Sequence, residues 1–296
     1  MGWLIAVSGS RFGVDVGVGG RPSRPKAIDQ GDQETIQEAP PMRLFHSLLP
    51  CLLFASALMG AETPAAPKEK EPSKKGWAGG HPDTAKEMNC GWFYNWGPHG
   101  ESKDGVEFVP MIKGKKGATE KVLTQVKKSG AKVLLGFNEP EREKQGDTTV
   151  EEALDLWPRL MATGLRLGSP APSSDKEGMV WLEKFMEGAE KRKLRVDFIA
   201  VHWYRSTDVD KFSEWLDGLH KRYNRPIWVT EFNAKFTDGD RDKFAREAFR
   251  MLEHHRYVER FAYMNGFHAE PGALFEGKGD TKKPTKLGEL YRETCH

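Results

Sequence analysis

Residues 134–140 of the chain read LLGFNEP, an apolar run that ends abruptly in an amide, a carboxylate and a proline. The first residues have the composition of a buried β-strand, and the proline cannot continue the strand's hydrogen-bond ladder. A turn at this point requires no glutamate, so the presence of Glu139 needs a separate explanation. If another strand also ends in a carboxylate, Glu139 would be one of a pair that form a common site.

Residues 226–232, PIWVTEF, form a second apolar run, and this run carries Glu231 near its end. Between the two lies the run 196–204, VDFIAVHWY, which ends in His202, Trp203 and Tyr204. In a parallel β-barrel the carboxyl ends of the strands meet at one rim. The pattern therefore predicts that Glu139 and Glu231 face each other across that rim.

Eight short apolar runs alternate with helical segments along most of the chain. They are residues 75–80, 90–96, 107–112, 132–138, 165–170, 196–204, 226–232 and 260–267. The helical period of 3.6 residues is clearest in residues 208–224 and 241–260. Eight strand–helix units predict an α/β fold, a (β/α)8 TIM barrel forming a single catalytic domain. An open doubly wound sheet is the alternative, although no Gly-rich phosphate loop accompanies the strands.

The composition narrows the class of protein. The chain has 296 residues, 38% of them apolar, which suffices for one large core. Its formal net charge is +2, and residues of both signs are interspersed. A nucleic-acid-binding protein would carry a concentrated basic surface, so we expect no nucleic-acid partner.

The N-terminal part has the features of a targeting segment. Residues 42–61 contain one arginine, an apolar run and small residues, which is the layout of a secretory signal peptide. Residues 1–41 have neither signal nor domain character, and we expect translation to begin at Met42. Residues 62–73 are rich in Pro, Ala and charge and predict a disordered linker, which leaves 74–296 as the barrel domain. We therefore expect a secreted or periplasmic protein without stable membrane insertion after cleavage.

Three cysteines are present, Cys51, Cys90 and Cys295. Cys51 would leave with the signal peptide, and the other two form an even pair in an oxidising compartment. The sequence leaves open whether Cys90 and Cys295 form a disulfide or remain separate thiols.

Three motifs in order make the chain similar to a known family. They are GFNEP (136–140), VHWY (201–204) and WVTEF (228–232). Further matches are FYNWG (93–97), FVPM (108–111), LGSPA (167–171), WLEKF (181–185) and KPTKLGELY (283–291). Together they resemble glycoside hydrolase family 128 of clan A, whose members cleave β-1,3-glucans. The resemblance extends from Lys74 to Tyr291.

The resemblance implies a role for each polar residue at the predicted rim. Glu139 is expected to be the general acid/base and Glu231 the nucleophile of a retaining double displacement. Asn138 matches the asparagine that binds the 2-hydroxyl of the sugar, and Tyr204 matches a partner that holds Glu231 ionised. His202 is expected in the same polar floor. A drier environment around Glu139 would favour its proton near neutral pH.

Aromatic residues near the rim are candidates for sugar stacking, because sugar rings present apolar C–H faces. Trp96 and Trp203 are predicted sugar contacts. Tyr263 stands where the family has a tryptophan at the end of the eighth strand, and we predict a sugar contact there too. Trp92 and Trp228 are predicted core residues between barrel and helices.

No cofactor and no metal are expected. His254 and His255 are adjacent on a polar helix, and His202 and His268 lack metal-ligand spacing. The expected partner is a β-glucan oligo- or polysaccharide, bound by a monomer and cleaved by endo action. Two other readings stay open: another clan A β-glycanase, such as a β-1,4-glucanase or mannanase, and a non-catalytic glucan-binding protein on the same fold.

Overall fold

The computed structural model describes residues 73–234, 237–265, 272–277 and 282–294. The predicted N-terminal extension and signal peptide lie outside the described residues, as does all but the last residue of the predicted linker. Cys295 lies outside them as well, and Cys90 is buried. The pairing of Cys90 with Cys295, which the sequence leaves open, is therefore not tested by the described residues.

Eight parallel strands and seven α-helices form the described domain. The strands are β1 (Lys75–Ala78), β2 (Trp92–Tyr94), β3 (Glu107–Phe108), β4 (Val133–Leu134), β5 (Arg166–Leu167), β6 (Ile199–Trp203), β7 (Ile227–Phe232) and β8 (Val258–Tyr263). The helices are α1 (Pro82–Glu87), α2 (Glu120–Lys128), α3 (Val150–Met161), α4 (Lys176–Lys191), α5 (Val209–Tyr223), α6 (Arg241–His254) and α7 (Lys286–Glu293). A 3₁₀ turn (Lys115–Gly117) and a short antiparallel pair, β9 (Phe275–Glu276) and β10 (Lys283–Pro284), complete the described elements.

The strands are arranged as the barrel prediction requires. Six of them form a parallel sheet in the order β3-β2-β1-β8-β7-β6, and β4 pairs with β5. Single parallel bridges connect the two parts, Met111 with Leu135 between β3 and β4, and Gly168 with Phe198 between β5 and β6. Seven of the eight predicted runs contain one strand each, and the eighth run, 260–267, overlaps β8, which begins at Val258. The predicted (β/α)8 architecture is confirmed.

Side chains alternate between the inside of the barrel and the helix layer, because successive residues of a strand point to opposite faces. The interior holds Trp92, Tyr94, Phe198 and Trp228. Trp92 and Trp228 are fully buried, as predicted, but they lie inside the barrel rather than between barrel and helices. There the guanidinium of Arg260 lies 4.5 Å from the ring centre of Trp228 and provides a cation–π contact.

Six of the seven helices within the described residues begin at a Ser/Thr/Asp-type N-cap. In each, the cap side chain accepts a hydrogen bond from a backbone N–H of the first turn; the caps are Thr119, Thr149, Asp175, Asp208, Asp240 and Thr285. In (β/α)8 barrels the helices start on the rim where the strands end. The caps therefore fix the loops that carry the polar strand ends. Within the described part of the chain, no helix combines the length and apolar character that a bilayer-spanning segment requires.

Lys75 links the first strand to the last helix. Its buried ammonium donates to the carbonyl oxygens of Tyr291 (2.6 Å), Arg292 (2.9 Å) and Thr294 (2.6 Å) at the end of α7. A cation at a helix C-terminus also interacts favourably with the helix dipole.

We expect Lys75→Met to lower the free energy of unfolding by about 3 kcal/mol, because three carbonyl oxygens lose their buried donor. Denaturant unfolding followed by circular dichroism measures the change. The exposed Lys121 is the matched control, and Lys121→Met should change the same quantity by less than about 0.5 kcal/mol. Equal values for the two variants would contradict the role given to Lys75.

Candidate active site

Polar residues gather at the carboxyl ends of β2, β4, β6 and β7. Glu139 follows β4, His202 lies near the end of β6 and Tyr204 follows it, and Glu231 lies near the end of β7. Because these strands are parallel, their ends share one rim of the barrel. The structure therefore brings together Glu139 and Glu231, which are remote in sequence.

Glu231 is buried and accepts three hydrogen bonds. Its Oε1 accepts from the indole Nε1–H of Trp96 (2.7 Å) and the hydroxyl of Tyr94 (3.2 Å), and its Oε2 accepts from the hydroxyl of Tyr204 (2.7 Å). Burial, followed by the charge of Glu231, raises the pKa of both tyrosines, so both remain protonated donors. Three donors converge on this one carboxylate and fix its orientation, which suits a carboxylate nucleophile.

His202 lies between the two glutamates. Its Nδ1 is 3.3 Å from Oε1 of Glu139, and its Nε2 is 3.6 Å from Oε1 of Glu231, which is beyond hydrogen-bond range. The imidazole is fully buried. A single imidazole ring thus spans the space between the two carboxylates.

The charges of this group change the proton affinities of Glu139 and His202. Burial tends to lower the pKa of His202, but the charges of Glu231 and Glu139 outweigh it, so the pKa of the imidazole is raised. Burial tends to raise the pKa of Glu139, but the hydrogen bond and charge of His202 and the charge of Arg142 outweigh it, so this pKa is lowered. The expectation that Glu139 keeps its proton through a drier environment is therefore wrong. The hydrogen bond and charge of His202 are the main effects that oppose burial at Glu139.

Glu139 sits in a left-handed backbone conformation with φ = 38°, which is uncommon for a residue other than glycine. Its N–H donates to the carbonyl of Ala171 (2.8 Å), and its carbonyl accepts from the N–H of Arg142 (3.0 Å). Gly146 packs so closely that a Cβ there would lie 2.6 Å from the carbonyl oxygen of Asn138. The strand ends at Asn-Glu-Pro, where the chain turns. This turn directs the Glu139 side chain towards His202.

Asn138 is buried, and its Oδ1 has no hydrogen-bond partner among the described residues. Within the same residues, His202 Nε2 and Asn233 Oδ1 are in the same situation. Buried polar atoms normally have partners. Three such atoms on the strand ends that carry the glutamates indicate a site that receives polar groups of a ligand.

Comparison with known proteins agrees with this geometry. A family model described as the glycosyl hydrolase catalytic core matches residues 74–291. The crystal structure of a family 128 (subgroup I) endo-β-1,3-glucanase from Amycolatopsis mediterranei, in complex with laminaritriose, is 33% identical with a TM-score of 0.64. The match covers 75% of this chain and 99% of that chain. This chain belongs to glycoside hydrolase family 128.

Two other family members are similar to a lesser degree. A subgroup III curdlan-specific exo-β-1,3-glucanase from Blastomyces gilchristii, in complex with glucose, is 29% identical with a TM-score of 0.61, and the match covers 75% of this chain and 99% of that one. A subgroup II endo-β-1,3-glucanase from Sorangium cellulosum is 25% identical with a TM-score of 0.61, covering 75% and 98%. Among curated proteins, none is significantly similar to this chain. The chain is therefore a glycoside hydrolase, and both endo- and exo-acting enzymes share its family.

Trp203 does not contact the ligand site of this family 128 hydrolase, which corrects our prediction. It is buried in the helix layer, where its ring stacks on Phe212 (centroids 4.5 Å apart) and its indole N–H donates to the carbonyl of Ser206. Its neighbour His202 points to the barrel mouth. Adjacent strand residues point to opposite faces, so His202 and Trp203 cannot both reach the site.

Tyr263 is not a sugar platform either. It is fully buried, its hydroxyl donates to the carbonyl of Gly272 (2.6 Å), and its ring packs against Phe232 and Phe249. The alternation along β8 turns Tyr263 towards the helices and turns Met264, the next residue, towards the interior cluster. The prediction for Tyr263 is therefore wrong.

Trp96 lies at the site, and Tyr94 is a site residue that sequence reasoning missed. Trp96 is half-buried with a left-handed backbone (φ = 57°), and its ring meets that of Tyr94 edge-on at 5.3 Å. Stacking of a sugar on Trp96 stays a prediction. A signal for Tyr94 was present in the sequence, because residues two apart, such as Tyr94 and Trp96, point to the same face of an extended strand.

The described residues contain no group of three or more His, Cys, Asp or Glu side chains arranged to hold a metal ion.

Proposed function

We propose that the protein is a secreted, endo-acting β-1,3-glucanase that works with retention of configuration. The observation that carries this proposal is the position of His202 between Glu139 and Glu231, one of which is buried under three hydrogen-bond donors. Solved family members bind laminari-oligosaccharides, which supports β-1,3-glucan as the substrate.

In the first step, Glu231 Oε attacks the anomeric carbon and the bond to the glycosidic oxygen breaks. Glu139 protonates the departing oxygen, so that one half of the substrate leaves as a neutral alcohol and the other becomes a glycosyl ester of Glu231. The hydrogen bonds from Tyr94, Trp96 and Tyr204 orient Glu231 for this attack. The 2-hydroxyl of the sugar donates a hydrogen bond to the Oδ1 of Asn138, which has no partner among the described residues, in the role that the family resemblance implies.

In the second step, Glu139 acts as a base. It removes a proton from a water molecule, the water oxygen attacks the anomeric carbon, and Glu231 leaves as a carboxylate. Two inversions restore the original configuration.

His202 and Glu139 supply the acid together. Their contact at 3.3 Å allows the pair to hold one proton between them. Glu139 transfers this proton to the glycosidic oxygen. The surrounding carboxylates raise the pKa of His202, so the pair keeps its proton towards neutral pH. This explains how Glu139 can act as an acid although its own pKa is lowered.

Two depressions flank Trp96 and support endo action. One, of about 260 Å³, lies beside the loops after β2, β3 and β4 and includes Lys113 and Gln145. The other, of about 300 Å³, lies beside the loops after β1, β2 and β8 and includes His81 and Asn265. Because Trp96 lines both, the surface continues on either side of it. A polymer bound along this surface would extend past Trp96 in both directions.

A product time course on a linear β-1,3-glucan tests the proposal. We expect oligosaccharides of intermediate length to appear first, and proton NMR should show the β-anomer before mutarotation. Glucose as the sole early product would exclude endo action, and an initial α-anomer would exclude retention. Cellulose derivatives and mannan are the controls for linkage specificity.

Two alternatives are distinguished by the same set of polymers. Faster release from cellulose derivatives or mannan would identify a different clan A β-glycanase. Binding to a glucan without release from any polymer would identify a glucan-binding protein. The hydrogen-bonded Glu231 and the strained Glu139 favour turnover, because strained backbone of this kind clusters at functional sites.

Secretion and a monomeric state complete the proposal. The signal-like residues 42–61 support export to the periplasm or medium. N-terminal sequencing of the native protein tests the processing, since Gly2 or Trp3 at the terminus would refute it. Sedimentation analysis tests the oligomeric state.

A further inference from the structure

Glu141 is a third carboxylate close in sequence to Glu139, and its side chain is buried. It comes two residues after Glu139, and only 3% of its side chain is exposed. A buried carboxylate is costly unless it is paired or fully hydrogen-bonded. Contacts that offset the cost of burying Glu141 are therefore expected around its carboxylate.

Only one of the two oxygens of Glu141 is hydrogen-bonded. Oε1 accepts from the backbone N–H of Ser173 (2.8 Å), which belongs to the loop between β5 and α4. Arg142 Nε lies 3.5 Å from the same oxygen. Oε2 is buried and has no hydrogen-bond partner among the described residues.

Further contacts connect the same two loops around Glu139. The N–H of Glu139 donates to the carbonyl of Ala171 (2.8 Å). Arg142 donates to the hydroxyl of Ser173 (3.1 Å) and forms an ion pair with Asp175, the N-cap of α4. Glu141 is the buried member of this group, while Arg142 is partly exposed. These contacts connect the strained turn at Glu139 to the loop between β5 and α4.

We propose that Glu141 is a positioning residue, whose carboxylate fixes the turn of Glu139 to the β5–α4 loop and adds a negative charge two residues from Glu139. This inference rests on the proposed role of Glu139. The catalytic step uses only Glu139 and Glu231, and Glu141 acts through the placement and protonation of the His202–Glu139 pair.

The electrostatics agree with this geometry. His202 lies against Glu139, which follows β4, and against Glu231 on β7. Its ring centre is 6.3 Å from that of Tyr204, and Glu141 comes two residues after Glu139. The charges of Glu231, Glu139 and Glu141, in decreasing order, raise the pKa of His202 against the opposing effect of burial. Removing the charge of Glu141 therefore makes the proton of the His202–Glu139 pair easier to lose.

Glu141→Gln separates charge from shape. The amide oxygen still accepts from Ser173, so the fold should be retained, but the negative charge is gone. We expect the NMR titration of the His202 ring, assigned with His202→Asn, to move to lower pH. The alkaline limb of kcat/KM on a β-1,3-glucan should move in the same direction.

Glu141→Ala tests the mechanical part, because it leaves the Ser173 N–H without its acceptor. We expect kcat to fall by about 10²-fold, with KM changed less than about threefold, since a small displacement of a catalytic group has effects of this size. Glu177→Gln is the matched control. It removes a charge near Arg142 from an exposed side chain, and it should change neither the titration nor kcat.

The outcomes are distinguishable. An unchanged His202 titration in Glu141→Gln, or a shifted titration with an unchanged kcat/KM profile, would overturn the inference while the wild-type enzyme remains active. Loss of stability in Glu141→Ala with kcat and KM both unchanged would do the same. Absence of glucan hydrolysis by the wild-type protein would instead refute the proposed function.

Discussion

Glu231→Ala should reduce kcat on β-1,3-glucan by about 10⁴-fold or more, because the variant has no group to form the glycosyl ester. Glu231 is the residue on which the hydrogen bonds of Tyr94, Trp96 and Tyr204 converge. Steady-state kinetics on a soluble linear β-1,3-glucan measures the loss. Circular dichroism should show a folded protein.

Chemical rescue identifies the role of Glu231 more specifically than the loss of activity. Azide that enters the space left by the side chain should attack the anomeric carbon directly, and a single displacement gives a glycosyl azide of α-configuration. The exposed Glu187 provides a control variant, Glu187→Ala, with normal turnover. A Glu231→Ala protein with near-normal turnover would show that another group is the nucleophile.

Glu139→Ala should lower kcat on β-1,3-glucan by about 10²- to 10⁴-fold, the usual contribution of general acid–base catalysis. The departing oxygen of a glucan needs a proton, whereas an aryl glycoside with an acidic leaving group does not. Formation of the glycosyl enzyme from such an aryl substrate should therefore be nearly unaffected. Pre-steady-state release of the aryl group measures this step.

Azide distinguishes the two glutamates. In Glu139→Ala it should attack the glycosyl enzyme in the second step and give a glycosyl azide of β-configuration, opposite to the product of Glu231→Ala. The alkaline limb of kcat/KM should also be lost, because the group that holds the catalytic proton is absent. Equal losses on glucan and on the aryl substrate would contradict the role of Glu139 as the acid.

The strands and their carboxylates could be predicted from the sequence alone. Each apolar run was bounded by polar or turn-forming residues, and eight such units in one chain fit few architectures. Glu139 and Glu231 could be placed at the rim because each stands at the end of an apolar run, and the carboxyl ends of parallel barrel strands meet at one rim. The approximate positions of both were therefore determined before any contact was known.

The direction of the aromatic side chains could not be predicted in the same way. A strand of a parallel barrel is covered on both faces, so its sequence lacks the polar–apolar contrast that reveals which face is which. The aromatic rings of Trp203 and Tyr263 are equally suited to pack against the helices or against a sugar. The pairing of β6 with β7 also shifts register between Val201 and His202. The alternation of side chains along the strands therefore cannot be extrapolated from one residue to the next.

The sequence by itself determined the eight strand–helix units and the two glutamates at strand ends, because these follow from apolar runs and from the cost of burying charge. Only the tertiary structure decided that His202 lies between Glu139 and Glu231, that Tyr94 and Trp96 donate to Glu231, and that Trp203 and Tyr263 belong to the core. Those contacts join strands far apart in the chain. Their geometry depends on how the barrel closes, which no local pattern encodes.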